Sequence, residues 1–352
     1  MQEISVIIKP TLACNVSCKH CAVEHRPFVN SCPDFYIKAL REIFDFRKRY
    51  LDFDTKAVEI IWRGGEPMLL GPSFYENVSY LLEKTFPEVK FYHGMQTNLL
   101  LYNSNWKNVF SGIFEWRVGT SYDFFSTIRP YSVEKFLSIL KRFQDDSGLP
   151  GYVICVLSNE NYLRVLDICY LANNESFDLK LNYLYQVGSA RRLSFFSPKK
   201  YKKALVEVVR NRNQFSKIKI DPIDFFVEFF EGKRKKLPCP CTSDCGKTIF
   251  AVYPDGSIYN CAELADINYF CYGNVNNGID PDIYFSLQMQ KIVNSEECLG
   301  CEIDCGGGCI KQRILFGKSI TKPTPFCKVW KALFKETKKL ICKRNKGGSN
   351  EF

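Results

Sequence analysis

Cys14-Asn15-Val16-Ser17-Cys18-Lys19-His20-Cys21 puts three cysteines in eight positions, a few residues after the apolar run Ile4-Ser5-Val6-Ile7-Ile8. A short β-rich strand followed at once by a cysteine loop decides the reading of the fold. A closed zinc site takes four ligands, commonly as two CxxC pairs. Three thiolates leave a position open on any centre they hold, and an open position is where a small molecule can coordinate. Thiolates select zinc or iron–sulfur centres, and a cubane held by three of them keeps one iron free. The alternative is a zinc site closed by His20, His25 or Cys32.

Outward from this loop, apolar β-rich runs recur at residues 4–8, 57–62, 91–96, 115–120, 152–157 and 179–185, with amphipathic helical patterns between them at 35–50, 73–85, 133–143 and 162–173. Alternation of this kind predicts a parallel sheet with right-handed crossovers, either doubly wound or an incomplete β/α barrel. In both, ligands gather at the carboxyl ends of the strands, where the cysteine loop lies. After a helical region near 198–231 and a basic run at 233–236, the composition shifts to a cysteine-rich stretch. This gives four expected segments: a barrel over 1–190, a helical linker over 191–236, a cysteine-rich domain over 237–330, and a basic helix and tail over 331–352.

The chain of 352 residues is 46% apolar and 24% charged, the composition of a folded globular protein. It has no apolar run long enough for a membrane span and no signal-peptide pattern, so no membrane partner is expected and the cytoplasm is. In a reducing compartment, seventeen cysteines point to metal ligation before disulfides. The formal charge of +10 marks solvated helix ends or attraction of an acidic partner. The basic runs lack interleaved aromatics and no nucleic-acid-binding motif is present, so nucleic acid is not expected as a partner.

The CxxxCxxC spacing in the loop after strand one resembles the signature of the radical S-adenosylmethionine superfamily. The resemblance implies a [4Fe-4S] cluster on Cys14, Cys18 and Cys21, with S-adenosylmethionine chelating the open iron and yielding a 5′-deoxyadenosyl radical on reductive cleavage. Arg63-Gly64-Gly65-Glu66-Pro67 follows strand two and is similar to the family's GGEP motif, so Gly64, Gly65, Glu66 and Pro67 are expected at the cofactor. Thr97 and Asn98 end strand three, and Ser121 ends strand four; the resemblance places them at the cofactor as well. Gly188-Ser189-Ala190-Arg191 resembles the family's Gly-Arg-Ala segment, and His20 reads as a cluster neighbour.

Further on, Cys239-x5-Cys245 and Cys261 are followed by Cys298-x2-Cys301-x3-Cys305-x3-Cys309-x17-Cys327. This resembles the SPASM extension, which holds two auxiliary [4Fe-4S] clusters. Together the two resemblances imply a partial (β/α)6 TIM-like barrel followed by a small cysteine-rich α+β SPASM domain, with three clusters in all. The family's connectivity assigns Cys239, Cys245, Cys261 and Cys309 to one auxiliary cluster and Cys298, Cys301, Cys305 and Cys327 to the other. The three residues between Cys301 and Cys305 depart from the family's usual five, and Cys241 is an alternative to Cys239. A pair of zinc knuckles is the competing reading of this region. Independently of any family, residues 251–260 read as a hairpin turning at Asp255-Gly256, which would bring Cys245 and Cys261 together.

The resemblance implies a peptide maturase that abstracts hydrogen from a ribosomally made precursor and forms an intramolecular carbon–carbon or thioether crosslink. Alternatives are a formylglycine-type sulfatase maturase, a maturase of a small redox cofactor, and a non-catalytic iron–sulfur or zinc protein. Sulfatase-maturing relatives keep an Asp as base directly after the third ligand of the first auxiliary cluster; Ala262 stands there here, followed by Glu263. Glu263, Asp123 and Tyr122 are the candidate proton acceptors. Expected partners are a precursor peptide with an acidic leader, a flavodoxin- or ferredoxin-type electron donor and, because the chain starts at its first strand, a separate peptide-recognition protein.

Overall fold

The computed structural model describes residues 4–23, 32–242, 245–290, 296–303, 305–317 and 319–347. His25 and Asp304 lie outside them, as does the chain end beyond residue 347.

Seven strands follow one another in parallel: β1 (Ile4–Ile8), β2 (Ala57–Trp62), β3 (Lys90–Gln96), β4 (Val118–Ser121), β5 (Tyr152–Leu157), β6 (Asp178–Tyr183) and β7 (Ile220–Asp221). Their spatial order equals their chain order. A doubly wound sheet would reverse that order at its middle, so the architecture is the incomplete barrel. Along each strand burial alternates: Ile4, Val6 and Ile8 are sealed, while Ser5 and Ile7 are only partly covered. The sealed face packs on helices and the other lines the barrel interior.

Crossover helices are α1 (Pro33–Leu51), α2 (Pro72–Thr85), α3 (Ser104–Gly112), α4 (Val133–Ser147), α5 (Val165–Asn174) and α6 (Pro198–Asn211); α7 (Ile223–Phe230) follows β7. Side-chain caps fix several starts: Ser132 accepts from the Lys135 N–H and Ser197 from the Lys200 N–H. The outer core is strongly aromatic. Trp62 is fully buried, edge-on to Tyr36 at 5.5 Å and to Tyr75 at 5.3 Å, and its Nε1 donates to His93 Nδ1 at 3.1 Å.

Two expectations for the strands need correction. The fourth starts at Val118, because Glu115 and Trp116 adopt left-handed φ of 47° and 59°, incompatible with a strand. A seventh strand, β7, lies in the stretch expected to be helical; Leu179 and Lys180 of β6 pair with Ile220 and Asp221.

On the other side of β1 the sheet continues with β8 (Ile249–Val252), parallel to it, then β9 (Ser257–Tyr259), β10 (Cys271–Asn274) and β11 (Gly278–Ile279), each antiparallel to its neighbour. The hairpin turns at Asp255-Gly256 as read from sequence, with Gly256 at φ 89° and the Ser257 N–H donating to Asp255 Oδ1. The composition change near residue 237 therefore falls within one continuous eleven-stranded sheet. The C-terminal helix, Cys327–Gly347, packs on α6 and α7, with Phe334 against Phe230 at 4.8 Å and Phe226 at 6.3 Å.

Candidate functional site

The loop carrying Cys14, Cys18 and Cys21 leaves the carboxyl end of β1 and is held by three neighbouring strand ends. The Gly65 N–H donates to Thr11 O and the Glu66 N–H to Ala13 O, both at 2.8 Å. A Cβ on Gly64 would stand 2.5 Å from Thr11 O, and one on Gly65 only 1.9 Å from Ala13 O. The glycine pair is thus required by contact with the cysteine loop itself. Glu66 is buried and accepts from Thr97 Oγ1 and from the Met68 and Asn98 N–H groups, locking β2 to β3; burial still pushes its carboxyl pKa up. From β6, the Ser189 N–H donates to Cys21 O, and Gly188, at φ 57°, makes room for that carbonyl.

Two donors face the sulfurs. Asn98 Nδ2 lies 3.9 Å from Cys14 Sγ, and Arg129 Nη1 lies 3.9 Å from Cys18 Sγ. Arg129 is in turn held by Asp123, whose Oδ2 accepts from its Nε at 2.7 Å while Oδ1 accepts from the Val156 N–H. Burial raises the Cys18 thiol to about 11, with Arg129 opposing the rise. Hydrogen-bond donors aimed at sulfur suit thiolates that carry negative charge into a cluster. His20 turns its Nε2 to Asp123, at 3.4 Å, and Cys32 stands at the N-cap position of α1 with no side-chain capping bond. Among the described residues, no three His, Cys, Asp or Glu side chains close around a single-ion point. The three thiols and their donors fit an iron–sulfur cluster, while His25, an expected ligand of the zinc reading, lies outside the described residues.

The later cysteines fall into two groups. Cys239, Cys245, Cys261 and Cys309 are near enough that, after burial, the neighbouring thiols are a leading cause of the upward shift at Cys239. Cys261 is pushed up to about 12 by burial, then by Cys309 and Cys245. Burial pushes the Cys327 thiol up to about 11, and Cys305, Cys298 and Cys301 add to the rise. Cys241 is buried and faces both groups, Cys305 first and then Cys239.

One cavity of about 500 Å³ joins these parts. Cys14, Cys18, Cys21, Gly64, Gly65 and Glu66 line one region of it, with Thr97, Asn98, Ser121 and Gln96, whose Nε2 donates to Ser121 Oγ. Cys239 and Cys309 line another.

Comparison with known proteins follows the same lines. No family model matches the chain. A cysteine-type anaerobic sulfatase-maturating enzyme of Clostridium perfringens is 23% identical over 95% of this chain and 96% of its own. This full-length likeness is consistent with a radical S-adenosylmethionine enzyme of the SPASM type. The solved structure of native anSMEcpe with bound AdoMet and Kp18Cys peptide superposes over 98% of this chain, with TM-score 0.76 at 21% identity. Streptococcus suis SuiB bound to precursor peptide SuiA superposes over 93% of this chain and 76% of its own, with TM-score 0.63 at 15% identity. Both likenesses concern the fold.

The three expected proton acceptors, Tyr122, Asp123 and Glu263, each have partners of their own. The Tyr122 hydroxyl donates to Tyr131 O at 3.0 Å, and its ring stacks on Phe136 at 4.7 Å, away from the cavity. Asp123 is buried and spent on Arg129 and the Val156 N–H. Glu263 does reach the cavity, but it pairs with Lys311 and, at 3.0 Å, with Arg63. Lys311 above all, then Arg63, holds its carboxyl well below the usual carboxylate range, which makes it a weak base.

Sequence reading missed the residues that close the far wall. Lys311 lies over the Tyr185 ring at 4.0 Å, Gln312 Nε2 donates to Tyr185 Oη at 2.8 Å, and Trp330 Nε1 donates to Gln312 Oε1. Lys180 and Asp221, paired across β6 and β7, line the cavity too. Lys311 and Gln312 follow Cys309 closely, and that adjacency was the only available signal.

Proposed function

We propose that this enzyme is a peptide maturase that removes hydrogen from an unactivated carbon of a precursor peptide and joins it to a second side chain. The cavity shared by the Cys14–Cys18–Cys21 loop and Cys239 with Cys309 carries this reading, because it lets one bound side chain lie between a radical source and an electron acceptor. The three thiols would hold a [4Fe-4S] cluster, and the two later groups would hold auxiliary clusters. When bound there, cluster and S-adenosylmethionine together supply a primary carbon radical. Arg129 and Asn98 hold the sulfurs, Glu66 fixes the loops around them, and the aromatic far wall of Tyr185 and Trp330 limits water.

A second reading, formylglycine formation on a sulfatase, is supported by the full-length likeness to the C. perfringens enzyme. Against it stand Ala262 in place of the expected Asp, and the double ion pair that occupies Glu263.

Among the described residues no helix is long and apolar enough to cross a membrane, and a cytoplasmic setting with a flavodoxin- or ferredoxin-type donor fits the chemistry. The lysines of α6, Lys199, Lys200, Lys202 and Lys203, offer an acidic leader a complementary face, whether or not a separate recognition protein assists.

The test is anaerobic reconstitution with S-adenosylmethionine and reductant, using peptides encoded beside the gene and a Cys-containing sulfatase peptide. Loss of two hydrogens with a new internal link supports crosslinking. Replacement of sulfur by oxygen at the cysteine supports the second reading. Stoichiometric zinc without iron or sulfide would end both.

A further inference from the structure

Three acids line the cavity: Glu66, Glu263 and Asp221. The first accepts three hydrogen bonds and the second pairs with two cations, so neither has an oxygen to spare for a substrate proton. Asp221 differs. Its Oδ2 accepts from the Tyr152 hydroxyl at 3.1 Å, and Oδ1 has no hydrogen-bond donor among the described residues. It stands on β7 directly across from Lys180, whose ammonium has no ion-pair or hydrogen-bond partner among the described residues and faces the same cavity. Cys239 is another wall of that region. β7 itself is fixed from behind: Arg212 pairs with Asp224 through two contacts of 2.7 and 2.6 Å, and Asp224 Oδ2 accepts from the Ile220 N–H.

We propose that Asp221 is the proton acceptor of the reaction, with Tyr152 and Lys180 as its positioning residues. The inference rests on the peptide-maturase reading above. When a substrate C–H and a Z–H group (Z being sulfur, oxygen, nitrogen or carbon) become a C–Z bond, two hydrogen atoms are lost. One leaves as a hydrogen atom to the 5′-deoxyadenosyl radical and forms 5′-deoxyadenosine. The other would leave as a proton to the Asp221 carboxylate, and the remaining electron would be taken by an iron–sulfur centre held by the Cys239 group. Deoxyadenosine, one C–Z bond, a protonated carboxyl and a once-reduced centre account for every atom and electron.

The surroundings suit this role. Burial raises the Asp221 carboxyl to about 6; the Tyr152 hydroxyl and Lys180 oppose the rise, while Asp224 and Glu228 on α7 add to it. A base poised there is ionised at neutral pH yet takes up a proton readily. Proton acceptance requires the ionised form, so coupling falls as the pH drops through about 6.

Asp221→Asn is expected to lower modified peptide per deoxyadenosine released by ~100-fold or more. Asp221→Glu should recover part of the loss, with iron content and circular dichroism as the check on folding. Kp18Cys and the gene-neighbour peptides serve as probes. Equal coupling in wild type and Asp221→Asn would overturn the assignment. If no probe is modified by wild type, the maturase reading fails and difference infrared spectroscopy decides alone. A carboxyl band lost in Asp221→Asn and titrating near 6 keeps Asp221 as a proton-accepting group of this cavity, though not of peptide maturation; a band already fully ionised at pH about 5, as an unperturbed Asp would be, removes it altogether.

Discussion

Arg129 shows how much one side chain beside the cysteine loop can decide. Its Nη1 faces Cys18 Sγ, its Nε is held by Asp123, and Asp123 is pinned to β5 through the Val156 N–H. Partners of this kind orient the ligand and temper its charge, and losing one typically costs ~10–100-fold in metal affinity or activity. Asp123→Asn should therefore lower deoxyadenosine release by about that factor, with iron retention read alongside. Arg129→Met removes a positive charge beside the sulfur and should move the potential of a cluster held there to more negative values, followed by redox titration with electron paramagnetic resonance. Glu263 supports a different test. Its carboxyl pKa is depressed by Lys311 and Arg63, so the stabilisation it gives is present above the unfolded-state carboxyl pKa of about 4.3 and is lost as pH falls below it. The difference in melting temperature between wild type and Glu263→Gln should shrink below pH about 4; a constant difference down to pH about 2 would show that charge is not its source.

At the scale of elements, what could be read from sequence follows the range of the forces involved. β1, β2 and β5 were legible to the residue because alternation and β-branched content are local properties. The Cys14–Cys21 loop and the Asp255-Gly256 turn were legible for the same reason. β7 was not. Two residues, Ile220 and Asp221, carry no period, and they form a strand because the Arg212–Asp224 pair and the Ile220 N–H bond hold them against β6. The same holds for the proton acceptor: Tyr122 and Asp123 sit at the expected strand end, but their orientations are set by Phe136 and Arg129, which no spacing rule reveals. Arg212→Ala strands a buried carboxylate and should cost about 3–5 kcal/mol of stability. Chemical denaturation measures it, and the variant should also lose coupling, since Asp221 shares the displaced strand.

For the whole molecule, the continuity of the sheet predicts what happens when an auxiliary centre is removed. β8 pairs with β1 along its length, and beyond the strands Lys9 Nζ donates to the Tyr253 hydroxyl at 2.6 Å and pairs with Asp266. The cysteine-rich region is thus joined to the barrel by backbone hydrogen bonds and a buried ion pair, independently of any metal. Cys261→Ala should leave about eight irons of an expected twelve, by the four-per-cubane rule, with far-ultraviolet circular dichroism close to wild type. It should still release deoxyadenosine while yielding little modified peptide. Collapse of the dichroism would instead mean that the centre holds the region together.

The pairing of β8 with β1 also bears on how electrons would move. The Cys14–Cys21 loop leaves the end of β1, and Cys245 and Cys261 flank the β8–β9 hairpin one strand away. Neighbouring strands in a ladder are held about 4.8 Å apart. That ladder is parallel, with Ser5 opposite Ile249, so Cys245 and Cys261 lie toward its amino end and the Cys14–Cys21 loop beyond its carboxyl end; the span between the two sulfur groups is set by the length of strands belonging to one sheet. Tunnelling between centres seated there would keep its rate in glycerol or under pressure, where an enzyme that swings a carrier domain slows down.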